Sequence, residues 1–315
     1  MTGEHRYRIY GLTLRSPRPL PLLWPEPDAD RAADILLHFA PVAIPTMPPL
    51  RQARRLAIHA DGSGLFQALR GARFLIRDGR EITIDLPPDT PAAELHALLC
   101  GPPLGWLMCQ RGQPPLHACV VQIGAAAVAL AGDSGAGKST LARALIARGH
   151  GLITDDQAVI DAEARLVQPG FPAMKLWQGA AVMAGDRVQP ALRVREGLDK
   201  YYIPMPQSFR PQPLPLALVL VLSPGANGQR LERAKGPETA TLLLRHLYRP
   251  EFSRGDKLAR IAFQRSVALA GAVPLYRLER SGDLADLPAL VATVENLAAR
   301  HPPLTRHARA CLDQT

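Results

Sequence analysis

Apolar and polar residues alternate in short runs along the first third of the chain. In FLIRDGREITIDL, the apolar Ile82, Ile84 and Leu86 stand at every second position, and an Asp-Gly pair precedes them. This period is typical of a half-buried strand, and the pair is typical of a tight hairpin turn. Similar short runs from YRIYGLTL to RRLAIHA predict that residues 7–86 form a β-rich, antiparallel unit.

The pattern changes near residue 105. Two short segments limited by prolines, AAELHALLC and LGWLMCQRG, are helical in character and precede the change. Beyond it, strand-like runs such as CVVQI, AAVALA, GLIT, LPLALVLVL and PLYRLE are interspersed with longer helical runs. Such alternation is typical of α/β proteins. The sequence therefore predicts a small antiparallel β-rich N-terminal domain over residues 1–105 and an α/β domain over residues 106–315.

Composition narrows the class of protein. Hydrophobic residues make up 47% and charged residues 21% of the 315 residues, which is ordinary globular usage. The net charge of +9 comes mostly from scattered arginines, because only five of the 37 basic residues are lysines. Aromatic residues make up only 5% of the chain, and no stripe of basic residues is interleaved with them. We therefore expect no nucleic-acid partner.

Cysteine usage and the N-terminus bear on the compartment. Cys100, Cys109, Cys119 and Cys311 form no C-x-x-C pair, which is typical of structural thiols in a reducing compartment. The N-terminal MTGEHRYRIYGL lacks the apolar core of a signal peptide, and no apolar run is long enough for a bilayer. We expect a cytoplasmic protein with no membrane partner.

The segment GDSGAGKST carries the strongest chemical signal. It satisfies G-x-x-x-x-G-K-[ST] between an apolar strand and a helix. In this context main-chain N–H groups cradle phosphate oxygens, the lysine neutralises the β- and γ-phosphates, and the serine hydroxyl holds Mg²⁺. The alternative is a glycine turn beside a surface lysine. The predicted nucleotide-binding residues are Gly132, Asp133, Ser134, Gly135, Ala136, Gly137, Lys138, Ser139 and Thr140, with Ser139 also a metal ligand.

A pair of carboxylates, Asp155 and Asp156, directly follows the strand GLIT. Ligands of open α/β sheets bind at the carboxyl ends of strands, so the pair is placed beside such a site. Adjacent strand residues point to opposite sides, and we therefore expect different tasks. One carboxylate can bind metal while the other accepts a proton from an attacking hydroxyl. The alternative is that the two aspartates cap the turn after the strand.

A histidine, His117, lies fifteen residues before Gly132 on the preceding strand. Taken alone, a histidine beside apolar residues is more often a core or edge residue whose hydrogen bonds are satisfied within the protein.

The motifs that the sequence lacks narrow the class of nucleotide-binding protein. There is no LSGGQ, which is typical of transport cassettes, and no N-K-x-D, which is typical of small GTPases. The strand LALVLVL ends in Ser223-Pro224 and is not an obvious metal-binding strand, so Asp155 and Asp156 are left as the acidic partners of the loop.

The stretch from His117 to Asp156 resembles the catalytic core of HPr kinase/phosphorylase. The histidine, the G-x-S-G-x-G-K-S loop, the R-G-H after the helix and the D-D pair occur in that family's order. The resemblance implies a fold like that enzyme's catalytic domain and the nucleotide domain of phosphoenolpyruvate carboxykinase. It also implies that Asp156 is the base that activates an acceptor serine, with His117 and Lys138 as catalytic partners. Asp155 then matches the acidic neighbour that binds metal.

The rest of the chain departs from that enzyme. Its E-I-R-G-L-G stretch, associated with phosphorolysis, is replaced here by QPGFPAMKLWQGA and RVREGLDKYYIP, and the N-terminal half does not resemble its regulatory domain. Both features resemble the HPr-kinase-like enzymes of lasso-peptide biosynthesis. This resemblance implies an ATP- and Mg²⁺-dependent kinase whose partner is a precursor peptide with a C-terminal serine. Lys200 is then either a second phosphate or acceptor contact or a solvated surface lysine.

Two other functions stay open at this point. One is an HPr-like protein-serine kinase that acts on a folded carrier protein, and the other is a regulatory protein that senses a nucleotide without transferring phosphate. The aspartate pair favours transfer, because a sensor needs no base beside the γ-phosphate. The oligomeric state is open as well, a homo-oligomer included.

Overall fold

The computed structural model of the chain describes residues 4–46, 48–225 and 228–302. Nine short strands from the first third of the chain form one sheet. They are β1 (His5–Ile9), β2 (Leu12–Ser16), β3 (Trp24–Pro25), β4 (Ile35–Phe39), β5 (Arg51–Ala53), β6 (Leu56–Ile58), β7 (Gly64–Gln67), β8 (Arg73–Arg77) and β9 (Glu81–Asp85). Their order across the sheet is β3-β1-β2-β4-β9-β8-β7-β6-β5.

The β-rich character of this region is confirmed, and its antiparallel character is only partly correct. The hairpin β8–β9 turns at Asp78 and Gly79, whose φ angles of 54° and 61° suit the tight turn that the sequence predicts. However, β4 pairs in parallel with both β2 and β9. These pairings join segments separated by long connections, so the local alternation that identifies each strand does not set their direction. The sheet is mixed.

Two helices, α1 (Ala92–Leu99) and α2 (Pro102–Gln110), follow the sheet, and their apolar faces contribute to its hydrophobic core. The same core includes Phe171, Tyr202 and Phe252 from beyond residue 105. Buried contacts therefore cross the boundary that the sequence predicts, and the two-domain division stays a prediction.

The second half of the chain has the expected mixed α/β structure. Its elements are β10 (Ala118–Ile123), β11 (Ala126–Gly132), α3 (Lys138–Ala147), β12 (Gly151–Thr154), β13 (Ile160–Asp161), β14 (Leu166–Val167), β15 (Ala173–Trp177), α4 (Gln178–Met183), β16 (Lys200–Pro204), β17 (Leu214–Pro224), β18 (Arg230–Arg233), α5 (Pro237–Arg245), α6 (Asp256–Ala272), β19 (Leu275–Arg280) and α7 (Leu287–Arg300). Strands β15 and β16 pair only with each other among the described residues, and the other eight strands form a second sheet.

Helices cover both faces of this second sheet. Val128 and Leu130 of β11 pack in one core with α3 and α7, whereas the intervening alanines of β11 pack in another core with α5 and α6. All seven residues of β11 are buried, as expected for a strand that is covered on both sides. The carboxyl end of β11 therefore lies in packed surroundings where the glycine-rich loop begins.

Strand direction brings the predicted site residues to one edge. β11 runs parallel to β17, and β17 runs parallel to β19. β10 lies between β11 and β12 and is antiparallel to both. The loop after β11 and the aspartates after β12 therefore meet at the edge where β10 begins. His117, which immediately precedes β10, lies at the same edge.

Two compositional expectations can be compared with the structure. Cys100, Cys109 and Cys119 are buried free thiols, and Cys311 lies outside the described residues. No helix within the described ranges is long and apolar enough to cross a membrane.

Candidate active site

The loop after β11 has the backbone that a phosphate cradle requires. Gly132, Gly135 and Gly137 have φ angles of 137°, 87° and 90°, in the region that side chains other than glycine rarely adopt. A Cβ atom on Gly132 would lie 2.5 Å from the main-chain oxygen of Leu222 on β17. Backbone conformation therefore favours glycine at all three positions, and lack of space requires it at Gly132 as well.

Lys138 lies at the start of α3 and is only 8% exposed. Its Nζ donates hydrogen bonds to the main-chain oxygens of Gly132 at 2.7 Å and Asp133 at 3.0 Å. Burial lowers the pKa of Lys138, although Asp156 and Asp155 act in the opposite direction. The ammonium group is thus held inside the loop, where it can neutralise a phosphate.

Ser139 and Asp155 bring two hard oxygen ligands together. The Ser139 Oγ donates to Asp155 Oδ1 across 3.4 Å, and Asp155 Oδ2 accepts a 2.8 Å hydrogen bond from the main-chain N–H of Lys175. Across the described part of the chain, no group of three or more His, Cys, Asp and Glu side chains could hold a metal ion. Two oxygen ligands do fit Mg²⁺, which usually takes one or two protein ligands together with phosphates and water.

Asp156 corrects one expectation about the pair. It lies beyond the end of β12 with a φ of 74°, so strand alternation does not apply to it, and both carboxylates line the same pocket. Their partners nevertheless differ. Asp156 forms an ion pair with Lys175 Nζ, and its Oδ1 lies 3.3 Å from His117 Nδ1. His117 Nδ1 also lies 3.0 Å from the main-chain oxygen of Asp156.

The charge of Asp156 is strongly stabilised. Burial by itself raises the pKa of Asp156, but Lys175 and His117 outweigh burial and hold the pKa well below its usual range. Burial likewise lowers the pKa of Lys175, and Asp156 reverses that effect and leaves the pKa well above its usual range. Asp156 and Lys175 are therefore an ionised pair at the centre of the site.

Sequence reasoning missed Lys175, which β15 carries opposite Tyr202 of β16. A signal was present in the composition, since the chain has only five lysines. Three of them, Lys138, Lys175 and Lys200, line one pocket of about 160 Å³. Lysines that are rare in a chain and cluster at one loop indicate a site for a polyanion.

We call this cavity the loop pocket. Lys200 lies in it rather than on an open surface, and its Nζ is 5.7 Å from the centre of the Trp177 ring. The predicted site residues that line the pocket are His117, Ser134, Gly135, Gly137, Lys138, Ser139, Thr140, Asp155, Asp156 and Lys200. Ala136 is buried beside them, and its main-chain oxygen accepts a 3.0 Å hydrogen bond from Arg280 Nε.

A second cavity of about 380 Å³ adjoins the loop pocket, and we call it the arginine pocket. It shares His117, Ser134 and Asp156 with the loop pocket and contains the remaining predicted residues, Gly132 and Asp133. Its other walls carry residues that sequence reasoning did not identify, among them Arg54, Arg245, His246 and Arg249. Asp156 thus lines both a lysine-lined pocket and an arginine-lined one.

The cations of the arginine pocket have acidic partners. Arg245 Nη2 lies 3.3 Å from Asp133 Oδ2, and Arg54 Nε lies 3.1 Å from Glu251 Oε1. Arg249 Nη1 contacts the same Glu251 oxygen at 3.9 Å, so two guanidinium groups share one carboxylate. Together the two guanidinium groups carry one positive charge more than Glu251 neutralises, so this wall of the arginine pocket favours an anion.

A comparison with protein-family models matches one segment of the chain. Residues 112–173 match the family model of the HPr Serine kinase C-terminal domain. This segment, which contains His117, the loop and both aspartates but neither Lys175 nor Lys200, is HPr kinase-like. Among solved structures, the chain is similar to the Hpr(Ser) kinase/phosphatase from Coxiella burnetii, at 16% identity over 59% of this chain and 95% of that chain, with a TM-score of 0.30. No curated protein matches the chain in sequence.

Proposed function

We propose that this protein is an ATP- and Mg²⁺-dependent serine kinase. The observation that carries the proposal is the position of Asp156, which lines both the lysine-lined loop pocket and the arginine pocket. A base in such a position can reach both a γ-phosphate on one side and an acceptor hydroxyl on the other. The HPr kinase-like segment of residues 112–173 supports the same activity.

In the proposed reaction, Asp156 accepts the proton of a serine hydroxyl, and the serine oxygen forms a bond to the γ-phosphorus. The bond from that phosphorus to the oxygen bridging the β- and γ-phosphates breaks, and ADP leaves. Lys138 neutralises the charge that develops on the phosphate oxygens. Ser139 and Asp155 would hold Mg²⁺, which supplies charge neutralisation at the β- and γ-phosphates when bound.

His117 and Lys175 act on Asp156. His117 Nδ1 contacts both the carboxylate and the main-chain oxygen of Asp156, and this contact orients the side chain. Lys175 keeps the carboxylate ionised and therefore able to accept a proton. A strongly stabilised carboxylate is a weak base. During transfer, therefore, the acceptor or the γ-phosphate must attract the ammonium group of Lys175 away from Asp156.

The proposed acceptor is the C-terminal serine of a peptide, as the resemblance to the lasso-peptide precursor kinases implies. The arginine pocket favours such an acceptor, because Arg54 and Arg249 line it and share the single carboxylate of Glu251, which leaves one positive charge to attract the carboxylate of a chain end. A folded carrier protein is the second candidate, since the matched segment is like that of a kinase of HPr.

The direct test offers the purified protein three acceptors with Mg·ATP and follows phosphate by mass spectrometry. The acceptors are a peptide that ends in serine, the same peptide with a C-terminal amide, and HPr. Phosphate on the free-acid peptide is expected, with much less on the amide. Phosphate on HPr alone would favour the carrier-protein kinase. ATP binding without transfer to any acceptor would favour the nucleotide sensor.

We expect phosphorolysis to be absent, because the E-I-R-G-L-G stretch associated with it in the HPr enzyme has no counterpart here. Phosphopeptide incubated with the protein, Mg²⁺ and inorganic phosphate should release no pyrophosphate. A coupled pyrophosphate assay with HPr kinase/phosphorylase as positive control makes the measurement. Pyrophosphate release comparable to that control would contradict the expectation.

The Lys175→Met variant should move the acid limb of the pH–rate profile upward. Lys175 lowers the pKa of Asp156, so without it burial raises that pKa and the carboxylate becomes protonated at higher pH. Because a protonated carboxylate cannot act as a base, kcat/KM should begin to fall at a pH ~1–3 units higher than in the wild type. The exposed Lys235 gives a matched control, Lys235→Met, whose profile should not move.

A further inference from the structure

A side chain from the end of β19 contacts the glycine-rich loop between β11 and α3. Arg280 is the last residue of this strand, and its Nε donates a 3.0 Å hydrogen bond to the main-chain oxygen of Ala136. Its Nη1 donates a second hydrogen bond of 3.0 Å to the main-chain oxygen of Ser281. Gly135 and Gly137 line the loop pocket, whereas Ala136 and Arg280 do not. The guanidinium group therefore contacts the loop from outside the pocket.

The second sheet places Arg280 beside the loop. β19 pairs in parallel with β17, and β17 pairs in parallel with β11, so the carboxyl ends of three neighbouring strands lie at one edge. The main-chain N–H of Gly225, just after β17, donates a 2.8 Å hydrogen bond to the main-chain oxygen of Arg280. Arg280 and Ala136 are thus neighbours in space, although 144 positions separate them in the sequence.

The guanidinium group also lies against Gly137, the residue before Lys138 and α3. A Cβ atom on Gly137 would overlap Nη2 and Cζ of Arg280. The peptide between Ala136 and Gly137 is trans, and in a planar trans peptide the C=O and N–H groups point in opposite directions. Because the Ala136 carbonyl points toward Arg280, the N–H of Gly137 points away from Arg280.

The charge of Arg280 is not neutralised by a carboxylate. Within the described ranges Arg280 forms no ion pair, and the hydrogen bonds of its side chain go to carbonyl oxygens. The nearby Asp286 instead accepts a hydrogen bond from the Ser281 hydroxyl. A guanidinium group carries five N–H donors and a permanent charge. Arg280 therefore adds positive charge beside a loop whose pocket is already lined by lysines.

We propose, on the basis of the kinase function proposed above, that Arg280 is a positioning residue for the nucleotide phosphates. By binding the Ala136 carbonyl, it keeps the N–H of Gly137 available to the phosphates that the loop and the first turn of α3 cradle. Its charge adds to that of Lys138 at the same loop. Arg280 acts through the loop and not on the acceptor. It therefore sets the affinity for phosphates and leaves the transfer step at saturating nucleotide nearly unchanged.

Calorimetry on full-length Arg280→Met with Mg·ATP and Mg·tripolyphosphate tests the proposal. Both should bind ~10–100-fold more weakly than to the wild type, the usual loss when a charged hydrogen bond is removed. The two losses should be equal, because tripolyphosphate contains phosphates alone. Unchanged affinities in the folded variant, or a loss for ATP alone, would overturn the proposal and leave the kinase function intact. A wild-type protein that binds neither probe would overturn both proposals.

Steady-state kinetics separate positioning from direct contact with the transferred phosphate. Arg280→Met should raise the KM for ATP ~10–100-fold and change kcat by less than ~3-fold. A large fall in kcat at unchanged KM would overturn the positioning role. Arg280→Lys keeps the charge and one donor group, so it should lose less affinity, and it serves if the methionine variant does not fold. The matched control is Arg260→Met on an exposed position of α6, which should change neither constant.

Discussion

The Asp156→Asn variant is expected to transfer phosphate ~10²–10⁴-fold more slowly than the wild type while it binds Mg·ATP nearly as well. The substitution keeps the size of the side chain and removes its basicity. Its contacts are to Lys175 and His117 rather than to Ser139, so the oxygens available to a metal stay in place. Transfer to a serine-ended peptide and calorimetric binding of Mg·ATP measure the two effects separately.

The neighbouring carboxylate provides the contrast for this experiment. Asp155→Asn should weaken Mg²⁺-dependent nucleotide binding more than Asp156→Asn does, because Asp155 lies 3.4 Å from the Ser139 hydroxyl. The exposed Asp30→Asn is a control that should change neither property. If Asp156→Asn instead weakened nucleotide binding more and Asp155→Asn slowed transfer more, Asp155 would be the base and Asp156 the metal ligand. Full transfer rates in both variants would contradict the kinase proposal.

The Lys138→Ala variant is expected to lower the transfer rate by at least ~10²–10³-fold, the usual loss when one preorganised charge at a developing anion is removed. Nucleotide binding should weaken as well, because the ammonium group lies within the loop that holds the phosphates. The fold should persist, since the hydrogen bonds of Lys138 go to carbonyls of its own loop.

Circular dichroism and thermal unfolding check that Lys138→Ala is folded, and the exposed Lys257→Ala is its matched control. Full activity of Lys138→Ala would remove this residue from the mechanism. An unfolded variant would instead indicate that the lysine holds the loop together, and Lys138→Met, which keeps most of the side-chain volume, would then separate packing from charge.

The sequence by itself determined many of the helices and strands of this protein and the glycine-rich loop between β11 and α3. The positive φ angles of Gly132, Gly135 and Gly137 follow from the spacing of the motif, and the alternation at Ile82 and Ile84 identifies strand β9. These features depend on neighbouring residues, whose backbone preferences and side-chain period are local properties. Placement of Asp155 and Asp156 after a strand is local in the same sense.

Only the tertiary structure decided which side chains meet. Lys175 reaches Asp156 because β15 lies beside the end of β12, and Arg54 from the first half of the chain and Arg245 from the second half line one cavity. The parallel pairing of β4 with β2 and β9 is of the same kind. Such contacts join segments that lie far apart in the sequence. Whether two strands pair in parallel depends on how their buried faces pack together rather than on any pattern within one segment. For this reason the conformation of the glycine-rich loop after β11 could be predicted from its residues, whereas the lysine that pairs with Asp156 could not.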